Sequence, residues 1–340
     1  ADFHSNAGFS EAWVSAQWGA ADISLGKMPI SWGSAYLLNP IDRVNPVNPA
    51  KLSEEHVPGV PAVKLNAAIG WDYALSAYVL LTRSPNRGGI AEEDGSAGSD
   101  DSRNTGVSSP AVGIPVPDET RPENLPFGIL GKAYLSGWEV SLGASRECTP
   151  VTEASEAPQT DGSAASNVFP TYSYRRNYSV LADLTGTLFD IGFTAEAALR
   201  LPLNPAGTEI DMDSWLASKA IEAAVGCSYF IPLVDTELML EYHHIGSGAE
   251  APTAYDRAAF LAGRQLLLAK DYLFARLSRE QGRNFSMEIS GIANLNDGSF
   301  LIAPSSEWEP VTDFVLSAGG FMPFGANSDE FGGSGTLAPG

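Results

Sequence analysis

The sequence predicts an all-β fold, a transmembrane antiparallel up-and-down β-barrel with about 14 strands visible in the chain. The first observation is period-2 alternation, clearest in residues 219–245, where Leu238, Leu240 and Tyr242 share one face of the second arm. Second, arms of ~9–11 residues exceed the usual strand length of ~5–6 residues and suit a membrane crossing. Third, short connections alternate with long ones, as they do in transmembrane barrels.

Seven hairpins follow one another, each predicted from apolar residues that alternate with polar or small ones. Their arms are residues 11–18 with 21–30, 62–69 with 72–83, 127–135 with 138–146, 178–188 with 190–201, the two arms of 219–245, 271–280 with 284–295, and 301–308 with 311–324. Examples of shared apolar faces are, in chain order, Ala12, Val14 and Ala16; Tyr73, Leu75, Ala77 and Val79; Trp138, Val140, Leu142 and Ala144; and Phe285, Met287 and Ile289. The fourth hairpin is recognised by its polar side, formed by Asp183, Thr185, Thr194 and Glu196.

The connections predict which end of each hairpin faces the periplasm. Short turns are predicted near Gly19, Gly70, Gly137, Phe189, Asp235, Gly282 and Pro310. Because transmembrane barrels have short periplasmic turns and long outer loops, residues 84–126 and 147–176 are predicted to be long extracellular loops. Residues 31–61 contain five prolines, a density that excludes a central strand. They form either an inward-folded constriction or an external loop packed on the barrel rim.

Aromatic residues gather beside the short turns. Their amphipathic rings suit the headgroup boundary of a bilayer, and the alternative is that they are scattered aromatics of an ordinary β core. The predicted interfacial girdle consists of Trp18, Trp71, Trp138, Phe189, Phe230 and Trp308.

The two ends of the chain do not fit a closed barrel of this orientation. With short turns in the periplasm, the first strand starts on the outer side and the last one finishes there. We therefore expect one barrel domain over residues 1–340 and at least one further strand on each side. The full protein would then have 16 or more strands, an even number as in single-chain bacterial barrels.

Composition narrows the classes of protein. A mean hydropathy of −0.05, with no apolar run near the ~18 residues of a spanning helix, fits a barrel better than a helical membrane protein. The net charge of −21 argues against a nucleic-acid partner, because phosphate binding needs clustered Lys and Arg. The acidic residues keep loops soluble or, alternatively, bind Ca²⁺ at a lipopolysaccharide surface.

Several short motifs carry a family resemblance. Residues 25–49 read LGKMPISWGSAYLLNPIDRVNPVNP and are followed by GVPAVKL at 59–65. Later pieces are LEYHHIGSG, KDYLFARLSRE, ANLNDGSFLIAP and SDEFG. Together they resemble Gram-negative outer-membrane porin-like barrels of the alginate-export and substrate-specific porin type. The resemblance implies the barrel fold and a place in the bacterial outer membrane, and it implies no particular substrate.

No catalytic or metal-binding constellation is present in the sequence. His243 and His244 are adjacent strand residues and point to opposite faces, so they cannot easily bind one metal. The polar faces instead supply candidates for a pore lining: Asp42, Arg43, Lys64, Lys132, Glu139, Asp183, Glu196, Arg200, Glu222, Glu237, Glu241, His243, Arg276 and Glu288. Their acidic majority predicts a mild preference for cations or neutral solutes, and Asp42 with Arg43 is available as a pair across the pore.

Two functions remain open at this level. The first is a porin for passive diffusion of small hydrophilic solutes, without cofactor or enzymatic activity. The alternative is a non-conducting outer-membrane scaffold or adhesin that presents its extracellular loops to a partner. Either would contact the lipid bilayer and lipopolysaccharide, and could form a homo-oligomer or join an outer-membrane complex.

Overall fold

The computed structural model describes residues 11–44, 59–81, 125–156, 168–203, 209–213, 221–257, 260, 267–282, 284–312 and 314–332. For residues 148–156 and 168–175 only the backbone is described. The prediction for residues 84–126 concerns a stretch that lies almost entirely outside these ranges, as do residues 45–58 of the proline-rich segment.

The described residues form one large antiparallel sheet in which the first fourteen strands pair in sequence order, while the short fifteenth strand pairs with the thirteenth. The strands are β1 Ala12–Trp18, β2 Ala21–Met28, β3 Val60–Ile69, β4 Tyr73–Leu80, β5 Phe127–Leu135, β6 Trp138–Glu156, β7 Val168–Leu188, β8 Ile191–Pro202, β9 Ile221–Ile231, β10 Thr236–Ile245, β11 Asp271–Gln281, β12 Phe285–Asn294, β13 Phe300–Val311, β14 Phe314–Gly319 and β15 Met322–Phe324. The predicted all-β, up-and-down architecture of about 14 strands is therefore confirmed.

The two edges of the sheet are unpaired in the part of the chain that the structure describes. β1 pairs there only with β2, and β14 only with β13. Every residue of both edge strands is exposed.

No helix of the described residues is long and apolar enough to cross a membrane.

The tight turns explain how successive strands reverse direction. Ser136 and Gly137 both have positive φ, 51° and 88°, and so do Phe189 and Asp190, 51° and 62°. Two successive positive φ values characterise the type I′ hairpin turn, whose twist matches that of the flanking strands. Gly137 adopts this conformation without strain, because it has no Cβ.

Residues 147–176, predicted to be a long extracellular loop, are strand over most of their length, and their extracellular position stays a prediction. β6 continues to Glu156 and β7 begins at Val168, and the two strands pair without a register shift up to Glu156 with Val168. The composition of this stretch is polar, but it includes β-branched and aromatic residues, which favour strands; Thr152, for example, is paired with Tyr172. Residues 157–167 lie outside the described ranges.

The last predicted arm, residues 311–324, is observed as two pieces. β14 and β15 keep the same register against β13, with Ser305 paired to Gly319 and Ile302 paired to Met322. The break at residue 320 lies opposite Pro304. Pro304 accepts a hydrogen bond from the Gly320 amide, but it has no N–H to return one.

Burial in the sheet is the reverse of that in a water-soluble protein. Directly paired residues share a face, so one face carries Asp183, Glu196, His243 and Tyr272, which occupy a single row across the strands. We call this the inner face, and the opposite one the outer face. On the inner face Glu241 is 2% exposed and Ser141 is 0% exposed, whereas Leu142 on the outer face is 64% exposed. The inner face thus covers polar side chains together with apolar ones such as Leu181, whereas the outer face leaves apolar side chains uncovered.

Candidate functional site

The inner face is covered by residues 30–44, which we call the inner segment. It follows β2 and lies against the sheet, with Ile30, Trp32, Leu37, Ile41 and Val44 buried. The proline-rich stretch that includes it was predicted either to fold inward or to pack on a rim, and the described part is in contact with the inner face.

The first anchor of the inner segment is a pair of carboxylates on β7 and β8. The amides of Ser34 and Ala35 both donate to Oε1 of Glu196, the latter at 2.5 Å. The Ser34 hydroxyl donates to Oδ1 of Asp183 at 2.6 Å. These three hydrogen bonds attach residues 34 and 35 of the inner segment to two neighbouring strands.

The second anchor is Glu241 on β10. It accepts the Tyr36 amide at 2.8 Å on one oxygen and 3.0 Å on the other, and the Leu37 amide at 3.3 Å. Four consecutive amides of the inner segment therefore donate to two glutamates of the sheet. Leu37 is buried and the other three residues are partly buried, so these N–H groups would be costly to leave without an acceptor.

The third anchor is the guanidinium of Arg43. It binds both oxygens of Glu147 on β6, with Nη2 at 3.2 Å, and its Nη1 lies 2.7 Å from Glu222 on β9. Arg200 binds the other oxygen of Glu222. In a flat sheet the Cα atoms of Glu147 and Glu222 would stand at least ~14 Å apart, because three strand spacings of ~4.8 Å separate β6 from β9. Because one guanidinium contacts both, the sheet curves around the inner segment.

Apolar and aromatic contacts extend this anchorage from β4 to β11. Trp32 packs on Tyr78 with ring centroids 4.7 Å apart, and Gly128 leaves room for the indole, since a Cβ there would lie 2.7 Å from it. Tyr36 stacks on Phe274 at 5.4 Å, and the Arg276 guanidinium lies 4.7 Å from the Tyr36 ring centroid. The inner segment thus contacts strands as far apart in the sheet as β4 and β11.

All strand residues predicted to line a pore lie on the inner face by their register. They are Lys64, Lys132, Glu139, Asp183, Glu196, Arg200, Glu222, Glu237, Glu241, His243, Arg276 and Glu288. Lys132 pairs with Glu139 at 2.5 Å and Arg276 with Glu288 at 2.6 Å. Arg43 binds carboxylates of the sheet, and Asp42 accepts the Val44 amide at 3.0 Å, so the two are not arranged as a pair with each other across the sheet.

Glu147 is a functional residue that the sequence analysis missed, because it was assigned to a loop. It is 5% exposed and continues the inner row Glu139, Ser141, Gly143 and Ser145. Extending that alternation by two residues would have found it.

His243 differs from the carboxylates beside it. It is 1% exposed, and among the described residues neither ring nitrogen has a hydrogen-bond partner. Its Nε2 lies 3.8 Å from Oε1 of Glu241, beyond hydrogen-bonding distance. Among the described residues, His243 therefore adds no hydrogen bond to those that anchor the inner segment.

The predicted aromatic girdle is only partly outward. Trp18, Trp71 and Phe189 are almost fully exposed at the short turns, and Trp308 is half-exposed on the outer face. Trp138 covers Gly186 and stacks on Phe193 of β8. Phe230 pairs with Glu237 and therefore lies on the inner face, where a girdle residue is not expected. Phe230 was included in the predicted girdle because it is close to a short turn in the sequence, and its face of the strand was not considered.

A second segment folds against the inner face. It lies near the ends of the strands that are far from the short turns. We call residues 325–332 the tail segment. Oε1 of Glu330 accepts the Leu268 amide at 2.8 Å, and Oε2 accepts from Tyr272 Oη at 2.6 Å and from Asn294 Nδ2 at 2.8 Å. The Glu330 amide donates in turn to Asp297 at 2.9 Å.

The two acids of this cluster titrate differently. Burial raises the pKa of Glu330 to about 7, although its hydrogen bonds oppose the shift. Burial also acts to raise the pKa of Asp297, but hydrogen bonds from Ser299 and from the Glu330 amide outweigh it, so that this pKa lies below its ordinary value.

A cavity of about 460 Å³ opens between the inner segment and the short turns. Its polar wall includes Thr185, Thr194 and Ser228, and Ser34 with Tyr36 form the side next to the inner segment. No cluster of His, Cys, Asp or Glu suited to a metal ion occurs among the residues that the structure describes. Ca²⁺ binding at outer acidic loops stays a prediction.

Comparison with known proteins finds no family model that matches the chain and no curated protein with a similar sequence.

Proposed function

We propose that the sheet closes into a barrel in the bacterial outer membrane and that the protein is a porin for small hydrophilic solutes. The inner segment is the constriction of its lumen. The observation that carries this proposal is the reversed burial, with acids and serines covered on the inner face and Leu, Val and Ile uncovered on the outer face.

The outer face supports insertion into lipid. Leu142, Val225 and Ile289 are each more than half exposed, and they belong to different strands of one continuous surface. Soluble monomers seldom expose apolar patches larger than a few hundred Å², and larger ones mark contact with protein or membrane. The resemblance of residues 25–65 to outer-membrane porin-like barrels favours the membrane.

The charges of the inner face support a mild preference for cations and neutral solutes. Asp183, Glu196, Glu237 and Glu241 have no Lys or Arg ion-pair partner among the described residues, whereas most of the inner basic residues are paired. Rings of charged side chains set the selectivity of pores. Since three of these acids hold the inner segment, the preference for cations should be modest.

The test is planar-bilayer conductance of the purified protein, combined with a variant in which residues 34–43 are replaced by a Gly-Ser linker of equal length. We expect stable single channels with a small excess of cation over anion permeability. The variant should have a severalfold larger conductance, because its lumen has lost the constriction. A conducting variant with unchanged conductance would contradict the role of the inner segment.

The extent of the inner segment favours a second candidate, a non-conducting scaffold that presents its loops to a partner. Its contacts reach from Tyr78 on β4 to Phe274 on β11, which are far apart in strand order. If the inner segment fills the lumen, the wild-type protein will not conduct although it inserts, and the linker variant will.

A further inference from the structure

We propose that the cavity beside the inner segment is a binding site for a neutral polyhydroxylated solute of monosaccharide or disaccharide size. This inference rests on the proposed porin function and specifies the class of solute. The cavity volume of about 460 Å³ lies within the range of ~300–1,000 Å³ that is usual for small-molecule sites.

Hydroxyl groups from neighbouring strands converge on the cavity. Thr185 on β7 is directly paired with Thr194 on β8, and both lie on the inner face. Ser228 on β9 lines the same wall, close to the turn between β9 and β10. Each hydroxyl can donate one hydrogen bond and accept others, which matches the hydroxyls of a sugar or polyol.

Two glycines give this wall its shape. A Cβ at Gly192 would lie 2.6 Å from Oγ of Ser228, and a Cβ at Gly226 would lie 2.7 Å from Oγ1 of Thr194 and 2.6 Å from Cγ of Glu241. The hydroxyls of Ser228 and Thr194 therefore lean over positions that a larger residue would fill. Glycine in a strand often marks a site where a ligand approaches closely.

The charged groups at the cavity are already matched. Glu139 is paired with Lys132 at 2.5 Å, and Glu241 accepts the amides of Tyr36 and Leu37. No Lys or Arg is among its described lining residues, so an anionic solute would find no countercharge. A neutral solute with many hydroxyls fits this environment better than a phosphate or a carboxylate.

The inner segment connects this site to the constriction. Ser34 and Tyr36 line the cavity, and they are held by Asp183 and by Phe274 with Arg276. The wall next to the constriction is therefore fixed before a ligand arrives, which favours binding. A solute bound here occupies the space beside the narrowest part of the lumen, and it should interrupt the ion current.

The experiment measures ion current through the full-length wild-type protein while glucose or maltose is added. 1,6-Hexanediol and citrate serve as probes with few hydroxyls and with negative charge. We expect glucose or maltose to reduce the current in a saturable manner, and the two control probes not to do so. Thr185→Val/Thr194→Val should raise the half-blocking concentration by about 10–100-fold, because two hydroxyls that would bind the solute are lost.

Thr236→Val is the matched control, since its hydroxyl binds the Val234 carbonyl at a turn and is not part of the cavity wall. The sugars should block the ion current through this variant at the same concentrations as in the wild type. Channels that conduct but are not blocked by either sugar would overturn the inference and leave the porin function standing. The inference would also be overturned if Thr236→Val raised the half-blocking concentration as much as Thr185→Val/Thr194→Val does.

A protein that inserts without conducting would contradict the porin function instead, and equilibrium dialysis with radiolabelled maltose then decides the site. Saturable binding that weakens in Thr185→Val/Thr194→Val supports the site, and the absence of binding to the wild type overturns it.

Discussion

The inner segment and the tail segment are both held on the inner face by buried glutamates, but with opposite polarity. For the inner segment, the sheet supplies the carboxylates Glu196 and Glu241 and the segment supplies backbone amides. For the tail segment, Glu330 comes from the segment, while the Tyr272 hydroxyl and the Leu268 amide act as donors to it.

This difference determines how each segment can be released. The inner segment has three separate anchors, at Glu196 with Asp183, at Glu241 and at Arg43, so the loss of one leaves two. In the tail segment the single carboxylate of Glu330 accepts three hydrogen bonds, and the Phe331 amide to Ser299 and Arg257 to the Ser328 carbonyl add further contacts. Loss of one group should therefore loosen the tail segment more, at Glu330, than it loosens the inner segment at any one of its three anchors.

The largest expected effect is release of the tail segment by Glu330→Ala. The substitution leaves three buried donors, on Leu268, Tyr272 and Asn294, without their acceptor, and each costs ~1–3 kcal/mol. Hydrogen exchange at the Leu268 amide should accelerate on the order of a thousandfold, at ~1.4 kcal/mol for each factor of ten. Exchange measured by mass spectrometry on peptides that cover residues 267–272 tests this.

Asp329→Ala is the control for that experiment. Its carboxylate accepts the Ala326 amide at an exposed position of the same tail segment. Exchange at Leu268 should change little in this variant. If both variants accelerate exchange equally, the tail segment is not held mainly by Glu330.

A smaller effect is expected for Glu196→Ala, because the inner segment keeps its other anchors. The Ser34 and Ala35 amides lose their acceptor at ~1–3 kcal/mol each, and their exchange should rise about 10–100-fold. The Tyr36 and Leu37 amides should remain protected until Glu241 is replaced as well. Peptide-resolved exchange distinguishes the single variant from the double one.

Glu237→Ala is the matched control for the inner segment. Glu237 lies on the same face of β10 as Glu241, and its described hydrogen bond is to Ser278 of the sheet. It should leave exchange at Ser34 and Ala35 unchanged. Release of the whole inner segment by Glu196→Ala alone would refute the idea of independent anchors.

Local pattern was sufficient to predict most of the strands and the faces of their residues. The face of a strand residue depends on its immediate neighbours, since alternate side chains point to opposite sides. The alternation of Glu237, Glu241 and His243 with Leu238 and Leu240 therefore assigned them correctly. The same rule would have found Glu147, had β6 been extended through its polar residues.

Contacts between distant segments could not be predicted in this way. The Ser34 amide and Glu196 are separated by 162 positions in the sequence, and nothing near either residue indicates the other. The proline-rich composition showed only that residues 31–61 are not a central strand. That Arg43 would bind Glu147 and Glu222 depends on the curvature of the sheet, which is a property of many strands together.

The smallest expected effect is the pH dependence of the tail segment. Burial raises the pKa of Glu330 from its ordinary value of 4.5 to about 7. A raised pKa means that the docked tail binds the proton more tightly than the released one. Docking is therefore strongest below about pH 4.5 and weakens as the pH rises through about 7.

Exchange at the Leu268 amide, corrected for the intrinsic pH dependence of exchange, should accordingly be about tenfold faster near pH 8 than near pH 6. Glu330→Gln should remove this difference, because the amide side chain keeps an acceptor oxygen but does not titrate. Asp297, the neighbouring acid, has a pKa below its ordinary value and stays ionised over this range. A pH dependence that persists in Glu330→Gln would assign the titration to another group and remove Glu330 as the controlling residue.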